Sequence, residues 1–145
     1  MRQLGLHLGR PLVLLLAVFL SAACSASAPT TSPRARLVEV NERDFRITIT
    51  PNRAPTHNVL LLVRNQGPDT HELIVVRSRS KLPLRLDGLT VSEEALSRYT
   101  VASLDGAGPG TTRYVRLRLS PGRYELFCNM AGHFMAGMHG ELVVQ

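Results

Sequence analysis

The stretch that decides the reading is "YELFCNMAGHFMAGMHGELVV", residues 124–144. Between positions 128 and 139 it holds Cys128, His133 and His139, with Met130, Met135 and Met138 among them. Alternation sorts these side chains. In "RYELFC", Tyr124, Leu126 and Cys128 fall on one face of an extended segment, and "GELVVQ" resumes the period of two after the loop. Cys128 thus ends a strand on its apolar face, and the loop to the next strand contains the remaining soft donors.

Working back along the chain, the same period recurs. Val38 and Val40 alternate with Glu39 and Asn41, and Phe45, Ile47 and Ile49 alternate with Arg46, Thr48 and Thr50. Residues 57–65 ("HNVLLLVRN") and 70–77 ("THELIVVR") form two more strands around the turn-rich "NQGPD", with His71, Leu73 and Val75 on one face of the second. In "TTRYVRLRLS", Val115, Leu117 and Leu119 point inward. Residues 78–110 are irregular, with one short helix expected at 92–98, where Ser92 caps and Glu93 and Glu94 suit the first turn. Seven or eight short strands separated by Pro/Gly turns predict an all-β sandwich.

The N-terminus reads as an export signal. Arg2 and Arg10 precede the apolar run 12–20, followed by small residues; a run this short falls well below the roughly 20 residues of a spanning helix. "LSAAC" (20–24) resembles a lipobox, with Cys24 the lipidated first residue of the mature chain and residues 1–23 the signal peptide. Ser21 holds the place usually taken by leucine, and plain cleavage within 22–28 competes. Residues 24–35 are Ser/Thr/Ala/Pro-rich and read as a flexible tether to a domain spanning 36–145.

Charge excludes one class. Of 17 basic residues, 16 are arginine, and setting aside 1–23 leaves 15 against 11 acidic ones. The surplus is spread over several strands, whereas nucleic-acid binding needs a concentrated basic face. Cysteine usage points the other way, towards chemistry. With Cys24 lipidated or removed, Cys128 has no disulfide partner in an oxidising compartment, where an idle thiol is a liability.

Cys128, His133 and Met138 read C-x4-H-x4-M, and His71 lies at a strand start 57 residues before the cysteine. Two imidazoles and a thiolate with a weak axial thioether form the donor set of blue copper. Structural zinc prefers four Cys/His donors, a disulfide oxidoreductase shows C-x-x-C, and a thiol protease needs an orienting Asn/Asp and a cleft. Met130 and Met135 lack the axial spacing and read as apolar wall; His139 and His57 read as surface and rim residues.

These segments resemble the cupredoxins, the small blue type 1 copper proteins, and within them the rusticyanin/sulfocyanin-like branch. Asn65, Gly67 and His71 match the family's N-x-G-x-x-x-H, and Cys128, His133 and Met138 its ligand loop, with Gly137 and Gly140 around the last ligand. The resemblance implies a Greek-key β-sandwich, one Cu(I)/Cu(II) ion on His71, Cys128, His133 and Met138, and a monomeric electron carrier rather than an enzyme. It also implies transient docking of redox partners, with Ala131, Gly132, Phe134, Met135, Ala136 and Gly137 as an electron-port patch around His133. Extracytoplasmic copper binding and delivery without redox turnover is the alternative, favoured by Met130, Met135 and His139. Glu72 departs from the family, which has Asn or Ser after the first histidine, and 78–110 matches no motif of it.

Overall fold

The computed structural model describes residues 34–78 and 81–145. The expected signal peptide, Cys24 and nearly all of the tether lie outside the described residues. No helix among the described residues is long and apolar enough to cross a membrane.

Among the described residues, nine strands form two sheets. They are β1 (Arg36–Arg43), β2 (Arg46–Thr50), β3 (Arg53–Ala54), β4 (Asn58–Asn65), β5 (His71–Arg77), β6 (Thr100–Ala107), β7 (Thr112–Arg118), β8 (Gly122–Phe127) and β9 (His139–Val144). One sheet has the order β2-β1-β4-β7, and the other β3-β9-β8-β5-β6. β1 runs parallel to β4, and β3 parallel to β9; the remaining pairs are antiparallel.

The alternating residues meet as the period of two dictates. Val38, Val40, Ile47, Leu61, Val63 and Leu117 from the first sheet pack on Leu73, Val75, Tyr124, Leu126, Cys128 and Leu142 from the second. Cys128 and Met138 belong to this core and are fully buried. β5 is buried on both sides. Its other face, Ile74 and Val76, packs with Phe127 against Val91 and Leu96, with Leu82 and Tyr99 alongside. Covering this outer face is the work of the irregular segment. Its helix, α1 (Glu93–Leu96), is one turn long, and the Ser92 side chain caps it at the Ala95 N–H.

Three features depart from the sequence reading. β6 lies in the segment expected to be irregular; its half-buried face is Ala102 and Leu104, too small a hydrophobic signal beside Asp105 and Gly106 to read as a strand. β3 has two residues, below what periodicity can register. Phe45 is not an inward strand residue but sits in the β1–β2 turn at φ 60°, half exposed.

One buried charge ties the sheets. Arg113 reaches Glu42 Oε2 at 2.6 Å and donates to the Asp105 backbone carbonyl at 2.6 Å. Burial raises the Glu42 carboxyl above its ordinary value, opposed by the Arg113 charge and hydrogen bond. A raised carboxyl holds its proton more tightly in the native state, so its stabilising contribution is full below the unfolded value and is lost as pH rises through the folded one. Glu42→Gln removes that loss. Denaturation at about pH 4 and about pH 7 should show the variant gaining on the wild type at the higher pH.

Candidate metal centre

The site is built at the end of the sandwich where β4, β5, β8 and β9 connect. His71 is the first residue of β5 and is fully buried. The turn before it is held by Asn65, whose side-chain amide donates to the Asp69 carbonyl at 2.7 Å and the Ala107 carbonyl at 2.9 Å. Its Oδ1 accepts from the Gly67 N–H at 2.9 Å. Gly67 is required by close approach, since a Cβ there would lie 2.7 Å from Asp44 Oδ1 and 3.0 Å from His71 Nε2. The N-x-G spacing thus has a local cause: the asparagine closes the turn, and the glycine lets it pass over the histidine.

Cys128 directly follows β8 and Met138 directly precedes β9. The Cys128 N–H donates to the Met138 carbonyl at 3.1 Å, and the Met138 N–H to the His133 carbonyl at 3.0 Å. Gly132 at φ 82° and Gly137 at φ 102° supply the left-handed positions that coil the loop between them.

Three of the four expected donors converge. The ligand atoms of His71, Cys128 and His133 all lie within 4.8 Å of one another. Cys128 Sγ is 3.5 Å from His133 Nδ1, and the two imidazole centroids are 5.2 Å apart. His71 Nε2 lies 3.1 Å from Asp44 Oδ1, while His71 Nδ1 is buried with no hydrogen-bond partner among the described residues. A buried nitrogen without a partner is costly, and here it belongs to the donor cluster. Met138 is buried at the end of the same loop.

The protonation of these groups follows from burial. Desolvation lowers the His71 value, reinforced by His133 and opposed by Asp44 and Asp69, which favours the neutral imidazole that a metal requires. Desolvation raises the Cys128 thiol, opposed by backbone N–H donors from Met130 and Glu72.

Glu72 takes on a definite part. Its backbone lies by the Cys128 thiol and opposes the rise in that group's value, and the Asn129 backbone does the same for the Glu72 carboxyl. Burial, then repulsion from Glu93, raises that carboxyl.

Other site residues fall less regularly. Ala131, Met135, Ala136 and Gly137 are exposed around the half-buried His133, and Gly132 is half-buried. Phe134 instead turns in, its ring 5.5 Å from Phe127. Met130 and Met135 are exposed rather than walling the site. His139 is exposed and bonds Glu125 at 2.7 Å, and His57 bonds the Leu119 carbonyl at 2.9 Å.

Sequence reasoning missed Asp44, Phe45 and Asn129. Asn129 Oδ1 accepts from the Val91 N–H at 2.6 Å, and its amide donates to the Val91 carbonyl at 3.1 Å and to Glu93 at 2.8 Å. With the Gly132 N–H bonded to the Leu89 carbonyl at 3.0 Å, it fastens the 81–96 segment to the ligand loop.

No protein-family model matches this chain, and no curated protein sequence matches it. Solved structures do. Dithionite-reduced auracyanin from the photosynthetic bacterium Roseiflexus castenholzii is 18% identical, with a TM-score of 0.58 over 77% of this chain and 98% of its own. Auracyanin A, a "blue" copper protein from the green thermophilic photosynthetic bacterium Chloroflexus aurantiacus, is 16% identical, with a TM-score of 0.56 over 77% and 100%. Rusticyanin from Thiobacillus ferrooxidans is 14% identical, with a TM-score of 0.53 over 77% and 79%. The fold is therefore the cupredoxin sandwich, as the sequence led us to expect.

Proposed function

We propose that this chain is an exported blue-copper electron carrier, and that His71, Cys128, His133 and Met138 hold one copper ion. The observation that carries the proposal is the buried meeting of two imidazoles and a thiol, with the unpartnered His71 Nδ1 among them and Met138 at the close of the loop. This donor set suits copper better than zinc, because a thioether is a poor fourth donor for zinc and an ordinary weak axial donor for copper. Bound copper supplies one-electron chemistry, cycling between Cu(I) and Cu(II).

The protein's part is to keep the donors still. Cys128, His133 and Met138 ride on one loop closed upon itself, and His71 starts a strand buried on both faces. The loop is fastened further by Asn129 and by the Gly132–Leu89 hydrogen bond. Donors held in this way move little between oxidation states, which favours fast transfer. His133 reaches towards solvent among Ala131, Met135, Ala136 and Gly137, with Phe45 beside it. Such a small apolar surface fits brief docking of redox partners, and the activity is electron transfer rather than enzymatic turnover. Export and lipidation at Cys24 belong to the same proposal and rest on residues 1–24 of the sequence.

The exposed thioethers of Met130 and Met135 favour the second reading, copper delivery. Burial of Cys128 and Met138 favours the carrier, since delivery needs donors a recipient can reach. Cu(II) added to the apo-protein should give an intense blue absorption with a narrow copper hyperfine splitting, reversible voltammetry and slow release to a chelator. A colourless adduct would overturn the site, and rapid release without reversible redox would favour delivery.

A further inference from the structure

We infer that the tip of the β1–β2 hairpin, Asp44-Phe45, is a positioning element for both imidazoles of the site, Asp44 orienting His71 from within and Phe45 bracing His133 at the surface. The consequence for copper rests on the functional reading above, whereas the positioning itself does not.

His71 has two ring nitrogens and one neighbour for them. Nε2 lies 3.1 Å from Asp44 Oδ1, and a carboxylate can only accept, so Nε2 carries the hydrogen. The neutral ring then has its lone pair on Nδ1, the atom left without a partner inside the donor cluster. Asp44 thereby selects the tautomer that offers Nδ1. A carboxylate behind a ligating histidine also makes the ring a stronger donor, which favours Cu(II) and lowers the potential.

The turn is shaped for this contact. Phe45 stands at φ 60°, a left-handed conformation that bulky residues rarely adopt and that persists where surroundings impose it. It sends consecutive side chains to different rings: the Phe45 ring meets His133 edge-on at a centroid distance of 5.5 Å. Gly67 leaves room on the other side, since a Cβ would press on both Asp44 Oδ1 and His71 Nε2.

Asp44→Ala and Asp44→Asn in the full chain test the inference. In the apo-protein, nitrogen NMR should find His71 in the Nε2–H tautomer in the wild type and in Asp44→Asn, whose amide oxygen still accepts. In Asp44→Ala that preference should be lost. With copper, Asp44→Ala should lose about 10–100-fold in Cu(II) affinity. A tenfold loss specific to Cu(II) raises the potential by about 59 mV. Asp44→Asn should raise the potential while keeping the tautomer, a split that a merely structural role would not produce. The inference is overturned if apo Asp44→Ala keeps the Nε2–H tautomer, or if both variants keep the wild-type potential. Should the wild type stay colourless with Cu(II), the copper reading falls, and the apo tautomer alone decides the role of Asp44.

Discussion

Cys128→Ser should stay colourless when Cu(II) is added, while the wild type should turn blue. The thiolate is the soft, electron-rich donor of the set, and a serine hydroxyl is neither soft nor readily deprotonated. The substitution is small, and the fold has a partner ready for the new oxygen. His133 Nδ1 lies 3.5 Å from the sulfur and can pair with a hydroxyl there, so the apo variant should remain within about 1 kcal/mol of the wild type. Copper should therefore separate the two proteins more than folding does. At a free copper concentration 100 times the Kd, a ligand that binds only the native state adds about 2.7 kcal/mol. Denaturation with and without copper should show nearly all of that gain in the wild type and almost none in the variant. A blue, copper-stabilised Cys128→Ser would show that the colour arises elsewhere.

Asn129→Ala is the substitution expected to cost the most stability outside the donors. Its side chain satisfies both backbone groups of Val91, a residue with no exposure. Each buried group left unpaired costs about 1–3 kcal/mol, so a loss of about 2–5 kcal/mol is expected in chemical denaturation. The loss should be local as well as global. Hydrogen exchange should accelerate first at Val91 and its neighbours, because the Leu89–Gly132 hydrogen bond and the packing of Phe134 would be left to hold that segment to the ligand loop. A looser loop moves its donors more during electron transfer, so self-exchange of the copper-loaded variant should slow. Unchanged exchange at Val91 would show that the apolar packing of Val91 and Leu96 suffices.

Much of this architecture was legible because period-two alternation survives in the sequence. Val38, Val40, Leu73, Val75, Tyr124 and Leu126 were all readable as inward, and all are buried. Cys128 and His71 could be placed on inward faces by the same parity, and the C-x4-H-x4-M spacing pointed to His133 and Met138 as the proposed partners. What escaped was whatever lacked a local signature. Arg43-Asp44-Phe45-Arg46 offers Asp44 alone as a turn former, without Gly, Pro or Asn beside it, so Phe45 read as a strand residue. Asn129 looks like any loop asparagine until the segment it binds, 38 residues earlier, comes alongside. Phe134 was assigned to the surface by its place near His133, yet the second apolar cluster under β5 and β8 draws it inward. Parity reports which side of a strand a residue occupies, whereas turns and clasps depend on what arrives from elsewhere in the chain.

The direction of β1 has a further consequence. This strand enters the sandwich at Arg36 and delivers Asp44 to the metal end, while β9 starts beside Met138 and runs back to Val144. Both Arg36 and Val144 therefore lie at the pole opposite His133, roughly 23 Å away for a strand of this length. A domain laid out in this way can be fastened to a surface, a membrane or an electrode by either end and still turn His133 outward.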